Sequence, residues 1–253
     1  MADDLTLEHA HTRGYELVRE HSERFVAYLG GLTADDLARP VPNSTWTVGE
    51  VVAHVRSVYE RYTINRQRSA SPALVAEQNA EDIARLGTDV DAALASIRAQ
   101  VELMALAPTA IAPDEPLEFH GGMTTTLAGG WGNLLGELLA HGDDIGSATG
   151  TPFRIPSVDL EILPRFTAPL LGGWLSPAAA AVDESWDLEY PFGTIRFTIA
   201  DGGFHHGLDV EPRSIHHTIE IADTAEWLLT TPYRRRQPTD EQTAHLVDMF
   251  VPI

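Results

Sequence analysis

The sequence predicts an α+β protein in two parts: a four-helix bundle over residues 1–152 and a smaller α+β domain over residues 153–253. Three observations predict it. Apolar residues recur at helical spacing through four long stretches before residue 150. Gly150, Pro152 and Pro156 then interrupt the pattern. Beyond them the apolar residues fall in short runs separated by turn residues, as in β-strands.

Val18, Phe25, Leu29 and Leu32 place the first helix over about residues 5–32. Thr33-Ala34-Asp35-Asp36 reads as a capped short turn, and Pro40 and Pro42 break the chain. Thr47 as N-cap, with Glu50 three residues on, forms a capping-box pattern that starts the second helix. Its apolar stripe is Val48, Val51, Val52, Val55, Val58, Tyr59 and Tyr62, and the polar run through Arg66 and Arg68 ends it. The third helix is expected over about residues 80–106, with Ile83, Leu86, Val90, Leu94, Ile97, Val101 and Met104 inward. A proline-rich connection over residues 108–116 leads to the fourth, over about residues 125–148, with Leu127, Trp131, Leu134, Leu138 and Ile145 inward. Four such helices in series make a bundle. The second part opens on a linking helix over residues 159–175, made imperfect by Pro164 and Pro169. Strands are expected over residues 186–190, 194–200, 205–210 and 216–221, with Gly202-Gly203 at a hairpin turn, then a short helix over residues 222–229.

Composition narrows the function. The net charge is −20, from 37 acidic and 17 basic residues. A field this negative repels phosphate backbones and anionic membranes, so no nucleic-acid or membrane partner is expected. No apolar run approaches the roughly 20 residues that span a bilayer. The acidic Met1-Ala2-Asp3-Asp4 start lacks the layout of a signal peptide, and a cytoplasmic protein is expected. Every basic residue is arginine, a usage that suggests a GC-rich bacterial genome. With no cysteine, disulfides, thiolate zinc sites and cysteine nucleophiles are excluded, and any thiol chemistry needs a thiol from outside.

Familiar motifs are missing. There is no HExxH helix and no GxSxG elbow, and without lysine there is no Walker A loop. Gly130, Gly132 and Gly136 have the wrong spacing for a dinucleotide fingerprint. In the doublets His205-His206 and His216-His217, successive strand residues point to opposite faces, so each doublet places one histidine in solvent.

One constellation is left. Glu137 and His141 are four residues apart on the fourth helix and stack on one face. His54 sits between Val51 and Val58, at the edge of the second helix's buried face. Two imidazoles and a carboxylate suit Zn²⁺, Ni²⁺ or Fe²⁺ and leave a coordination position open. Glu-xxx-His pairs and edge histidines also serve plain packing, so the residues alone leave both readings standing.

The segment Trp46-Thr47-Val48-Gly49-Glu50-Val51-Val52-Ala53-His54-Val55 resembles the DinB-like superfamily, in which a tryptophan precedes a helix carrying the first metal histidine. The segment from Gly136 through Glu137, His141, Gly142 and Asp144 to Gly150 is similar to relatives of mycothiol-dependent maleylpyruvate isomerase. That resemblance implies a DinB-like metal-binding bundle followed by a small sterol-carrier-like α+β domain. It places the family's metal ligands on His54, Glu137 and His141, and it implies a divalent metal, zinc first, with nickel or iron as alternatives. The implied second cofactor is mycothiol, whose metal-bound thiolate attacks a small electrophilic substrate. Addition, bond rotation and elimination give cis–trans isomerisation; addition or displacement without return gives S-transfer. A dianionic substrate needs arginine. Arg234 is placed to reach the site from the second domain as a catalytic residue, whereas Arg56 and Arg61 are expected to face water. Asp144 is placed to support a ligand histidine. Asp143 departs from the family, where a bulky residue is common. The expected assembly is a monomer or homodimer. Two other classes stay open: a metal-dependent hydrolase using activated water, and a non-catalytic small-molecule binding protein. A closed structural zinc site needs four protein ligands, and three are found.

Overall fold

The computed structural model describes residues 5–207 and 209–251. Met1–Asp4 and Leu208, the latter within the expected strand over residues 205–210, lie outside the described residues.

The bundle is built from α1 (Leu7–Leu29) and three later helices. Between them lies α2 (Ala34–Leu37), capped by Thr33 and Asp36 as the sequence suggests. The helix α3 (Val48–Thr63) starts where the capping box puts it: Thr47 Oγ1 accepts from the Glu50 N–H and Glu50 returns the bond to the Thr47 N–H at 2.7 Å. The expected third helix is two helices, α4 (Pro72–Leu86) and α5 (Val90–Met104). Gly87, at φ +64°, ends the first in a conformation that costs glycine little, and the Asp89 side chain caps the next from Ala92 N–H at 3.0 Å. The apolar spacing runs unbroken across this corner, so periodicity alone merged the two.

The proline-rich connection holds α6 (Ala107–Ala110), and β1 (Leu117–Glu118) and β2 (Thr124–Thr125) pair antiparallel around His120. The helix α7 (Leu127–Thr149) follows, capped by Thr126 and ended by Gly150 at φ +78°. Helices α1, α3, α5 and α7 close the bundle, each packed on two of the others, with α4 against α3. Phe25, Leu29, Tyr59, Ile97, Trp131 and Leu138 are fully buried between them.

Past Gly150 the linking segment is a short 3₁₀ turn, then α8 (Ile162–Thr167), then a second 3₁₀ stretch. Ile155, Leu160, Ile162 and Leu163 are buried in the bundle's core, joined by Leu228, Leu229 and Tyr233 from near the C-terminus. The strands β3 (Glu184–Tyr190), β4 (Gly193–Ala200), β5 (Gly203–His206) and β6 (Ile215–Glu220) form a sheet in the order β5-β4-β3-β6. Among the described residues of this sheet only the β3–β6 pairing is parallel. Asp201 and Gly202, both at positive φ, turn the β4–β5 hairpin, one residue earlier than the Gly202-Gly203 reading. Trp186, Leu188, Phe197 and Ile199 form a second core under α9 (Thr224–Thr230) and α10 (Glu241–Asp248), whose Leu246 it includes. Among the described residues no helix is long and apolar enough to cross a membrane.

Candidate metal centre

Helices α3 and α7 pack side by side, and each contributes one edge of its buried face to a common point. The capping box fixes where α3 begins, and hence where His54 stands two turns in. On α7, Glu137 and His141 stack as the four-residue spacing requires. The three groups meet. His54 Nε2 lies 3.5 Å and His141 Nε2 3.2 Å from the same oxygen, Glu137 Oε2. The imidazoles meet edge-on, with centroids 4.8 Å apart, and Trp46, just before α3, covers His54 at 5.0 Å. Both histidines are buried and Glu137 is partly so. One ligand atom from each lies within 4.8 Å of the others, a set of donors able to hold a divalent ion.

The electrostatics follow from burial and partners. Burial pushes the His54 imidazole down, against its hydrogen bond to Glu137. Burial alone would raise the Glu137 carboxyl, but the His141 and His54 hydrogen bonds outweigh it and hold Glu137 far below the usual carboxylate range. His141 goes the other way. Burial opposes its charge, yet bonds to Asp144 and Glu137 carry it up to about 9. Asp144 Oδ2 lies 2.9 Å from His141 Nδ1, which leaves Nε2 facing Glu137. Asp144 is thus the support expected of it, and it is itself held at about 2: burial raises it, but His141 and then Arg235 bring it down.

Arg235 is the residue that the sequence did not single out. Its Nε and an Nη donate to the two Asp144 oxygens at 2.7 and 2.8 Å. Arg236 grips Asp143 the same way, at 2.8 and 2.6 Å, which gives the departing Asp143 a partner. Arg234 is not brought to the triad. Its guanidinium donates to the carbonyls of Val247 and Phe250 at the end of α10, although it lines the same cavity. Arg61 does not face water as expected: it is buried and ion-paired with Asp82 at 2.6 Å. Arg56 is half-buried and pairs with Glu60.

The triad opens on a cavity of about 320 Å³ between the bundle and the sheet. Its walls include Tyr62, His120 and Tyr233 as well as Leu188, Phe197 and Trp227. This is the apolar lining with few polar groups that small-molecule sites share. Burial, then the Glu137 charge, raises both the Tyr62 and Tyr233 hydroxyls, so both stay protonated. Burial and then Arg61 and Arg68 lower His120 to about 4. Its Nδ1 accepts from the Ser69 N–H at 2.9 Å. The only mark of His120 in the sequence is the Gly121-Gly122 pair beside it, both at positive φ.

The family model described as "Mycothiol maleylpyruvate isomerase N-terminal domain" matches residues 18–146, just over half of the chain. No curated protein matches. The crystal structure of the mycothiol-dependent maleylpyruvate isomerase shares the fold at 18% identity, with a TM-score of 0.53, over 91% of this chain and 90% of that one. A histidine-to-alanine mutant of that enzyme aligns at 17% identity with a TM-score of 0.48, over 89% and 88%. The chain belongs to the mycothiol maleylpyruvate isomerase N-terminal domain family, a family of enzymes.

Proposed function

We propose that this family member is a metal-dependent enzyme that uses an external thiol, mycothiol, against a small electrophilic substrate, by isomerisation of the maleylpyruvate type or by S-transfer. The observation that carries the reading is the convergence of His54 Nε2, Glu137 Oε2 and His141 Nε2 at the mouth of a largely apolar cavity. The donors fit a borderline divalent ion, zinc first, then nickel or iron. His54 Nδ1 has no protein partner among the described residues, so no second bond competes for how that ring turns. A divalent ion held there supplies the charge that favours thiolate over thiol, and three protein ligands leave room for an outside donor.

The chain's own groups do the rest. Asp144 fixes the His141 ring, and Arg235 fixes Asp144. Leu188, Phe197 and Trp227 give the same cavity an apolar wall. Tyr62 and Tyr233 offer hydroxyl donors to a substrate oxygen. Arg234 is carried forward as the arginine for an acidic substrate, from the cavity wall rather than from the ligand cluster. The same reading takes the enzyme as cytoplasmic and bacterial, a monomer or homodimer without nucleic-acid partners. It also treats residues 1–152 and 153–253 as two domains.

Cobalt substitution tests it. Adding mycothiol should produce an intense near-ultraviolet charge-transfer band, lost in Glu137→Ala and His141→Ala. No spectral response to any thiol, with thiol-free hydrolysis of an activated ester, would replace this reading by a water-activating hydrolase.

A further inference from the structure

A second group of two imidazoles and a carboxylate sits on the sheet. Glu184 opens β3, His217 lies on the neighbouring β6, and His245 comes from α10. The parallel register pairs Trp186 with His217. Glu184 and Trp186, two residues apart, share the inner face with it, and His216 points to the other side, bonded to Ser185. The doublet therefore splits as strand alternation demands, and its inward member finds a partner from a distant helix.

The geometry repeats that of the first triad. His217 Nε2 lies 3.1 Å and His245 Nε2 2.9 Å from the same oxygen, Glu184 Oε2. One ligand atom from each of the three residues lies within 4.8 Å of the others. The His217 ring is held flat on Trp186, with centroids 4.0 Å apart and planes 20° apart. Glu184 is well covered, at 12% side-chain exposure, while His245 is 42% exposed. A cation there would meet a fixed imidazole, a fixed carboxylate and one adjustable imidazole at the solvent edge. Two nitrogens select a borderline ion such as Zn²⁺, Ni²⁺ or Cu²⁺ over Ca²⁺ or Mg²⁺. The net charge of −20 favours any cation.

We infer that Glu184, His217 and His245 form a second divalent-cation site, which ties α10 to the β3–β6 edge of the sheet. The helix it ties carries Leu246 and Val247 of the cavity wall and presents the Val247 carbonyl that Arg234 holds. The site is therefore placed to stiffen the cavity without touching its contents.

The test is a Zn²⁺ titration of the chelator-stripped full chain by calorimetry. Two equivalents should bind. Glu184→Gln keeps the shape of the side chain and should weaken one of them by about tenfold or more, as loss of an anionic ligand does. His245→Gln, at the exposed end, should do the same if Glu184→Gln fails to fold. His141→Ala should lose the other equivalent, so failure of the bundle site and failure of this one are separate results. In the His141→Ala background, which removes the bundle site beside Trp46, Ni²⁺ should quench tryptophan fluorescence, and the quenching should be lost when Trp186→Phe or Glu184→Gln is added. A single equivalent lost only in His141→Ala overturns the inference, as does unchanged affinity for both equivalents in both the Glu184 and His245 variants.

Discussion

Replacing His120 by Asn should make the protein less sensitive to acid. In the folded state His120 Nδ1 accepts the Ser69 N–H, so the imidazole is held neutral with its proton on Nε2. Protonating Nδ1 turns an acceptor into a donor facing a donor. Burial and the Arg61 and Arg68 charges act in the same direction and lower the group from 6.5 to about 4. The unfolded chain takes up its proton near 6.5, the folded one only near 4. Between those values the unfolded state binds more protons, so folding stability falls as pH falls, and above 6.5 the effect is absent. At about 1.4 kcal/mol per pH unit, the gap caps the loss at about 3 kcal/mol. Asn keeps an acceptor near the Nδ1 position and does not titrate. Urea unfolding from pH 4 to pH 8 should therefore show parent and His120→Asn with parallel stabilities above about pH 7, converging or crossing below about pH 6. Equal pH slopes for the two proteins would refute the reasoning.

Asp144→Asn removes the anionic support of His141 and the anchor of Arg235; metal affinity of the parent's bundle site should drop about 10–100-fold, read by chelator competition. Asp82→Ala strands the buried Arg61 guanidinium and should cost about 3–5 kcal/mol in urea unfolding, whereas replacing both residues with apolar ones should cost much less. A Cβ at Gly136 would run into the Tyr233 hydroxyl, so Gly136→Ala should lose about 1–3 kcal/mol and recover part of it in combination with Tyr233→Phe. Limited proteolysis should cut first in the Pro177–Ala181 stretch, exposed except at Ala179, leaving a resistant bundle fragment that keeps the linking segment; first cuts inside α7 would contradict the two-domain reading.

The bundle and its triad were legible because both rest on local rules. A capping box announces where α3 starts, and a four-residue spacing announces that Glu137 and His141 share a face. The corner at Gly87 was not legible, since Ile83, Leu86 and Val90 keep helical spacing across it; only the glycine and Asp89 betray the turn. The doublet at His216-His217 was correctly split by alternation, but the rule says nothing of what meets the inward residue. His245 arrives from 28 residues further along the chain. Arg235 was passed over for Arg234 for a related reason. Three consecutive arginines look alike in sequence. Arg234 sits at φ +52°, and the Arg235 and Arg236 N–H groups both donate to the Leu229 carbonyl, so the backbone turn decides which guanidinium points where.

That turn shows how the second part of the chain enters the first part's chemistry. Asp143 and Asp144, half-buried and buried, lie side by side on α7, and adjacent carboxylates away from water repel each other unless cations answer both. Arg236 and Arg235 answer them in reverse order, each with two hydrogen bonds. The guanidinium on Asp144 leaves that carboxylate ionised, and an ionised Asp144 keeps the His141 ring turned with Nε2 towards Glu137. The relay runs from a loop beyond residue 230, through α7, to the candidate ligand atoms. Tyr233, three residues from Arg236, docks where Gly136 leaves room beside Glu137. A bundle cut off after α7 would keep all three candidate ligands and lose the two arginines and the tyrosine that hold them in place. The loop after α9 is in that sense a supporting wall of the site, and its sequence is read best from the contacts it makes with Asp143, Asp144 and Gly136.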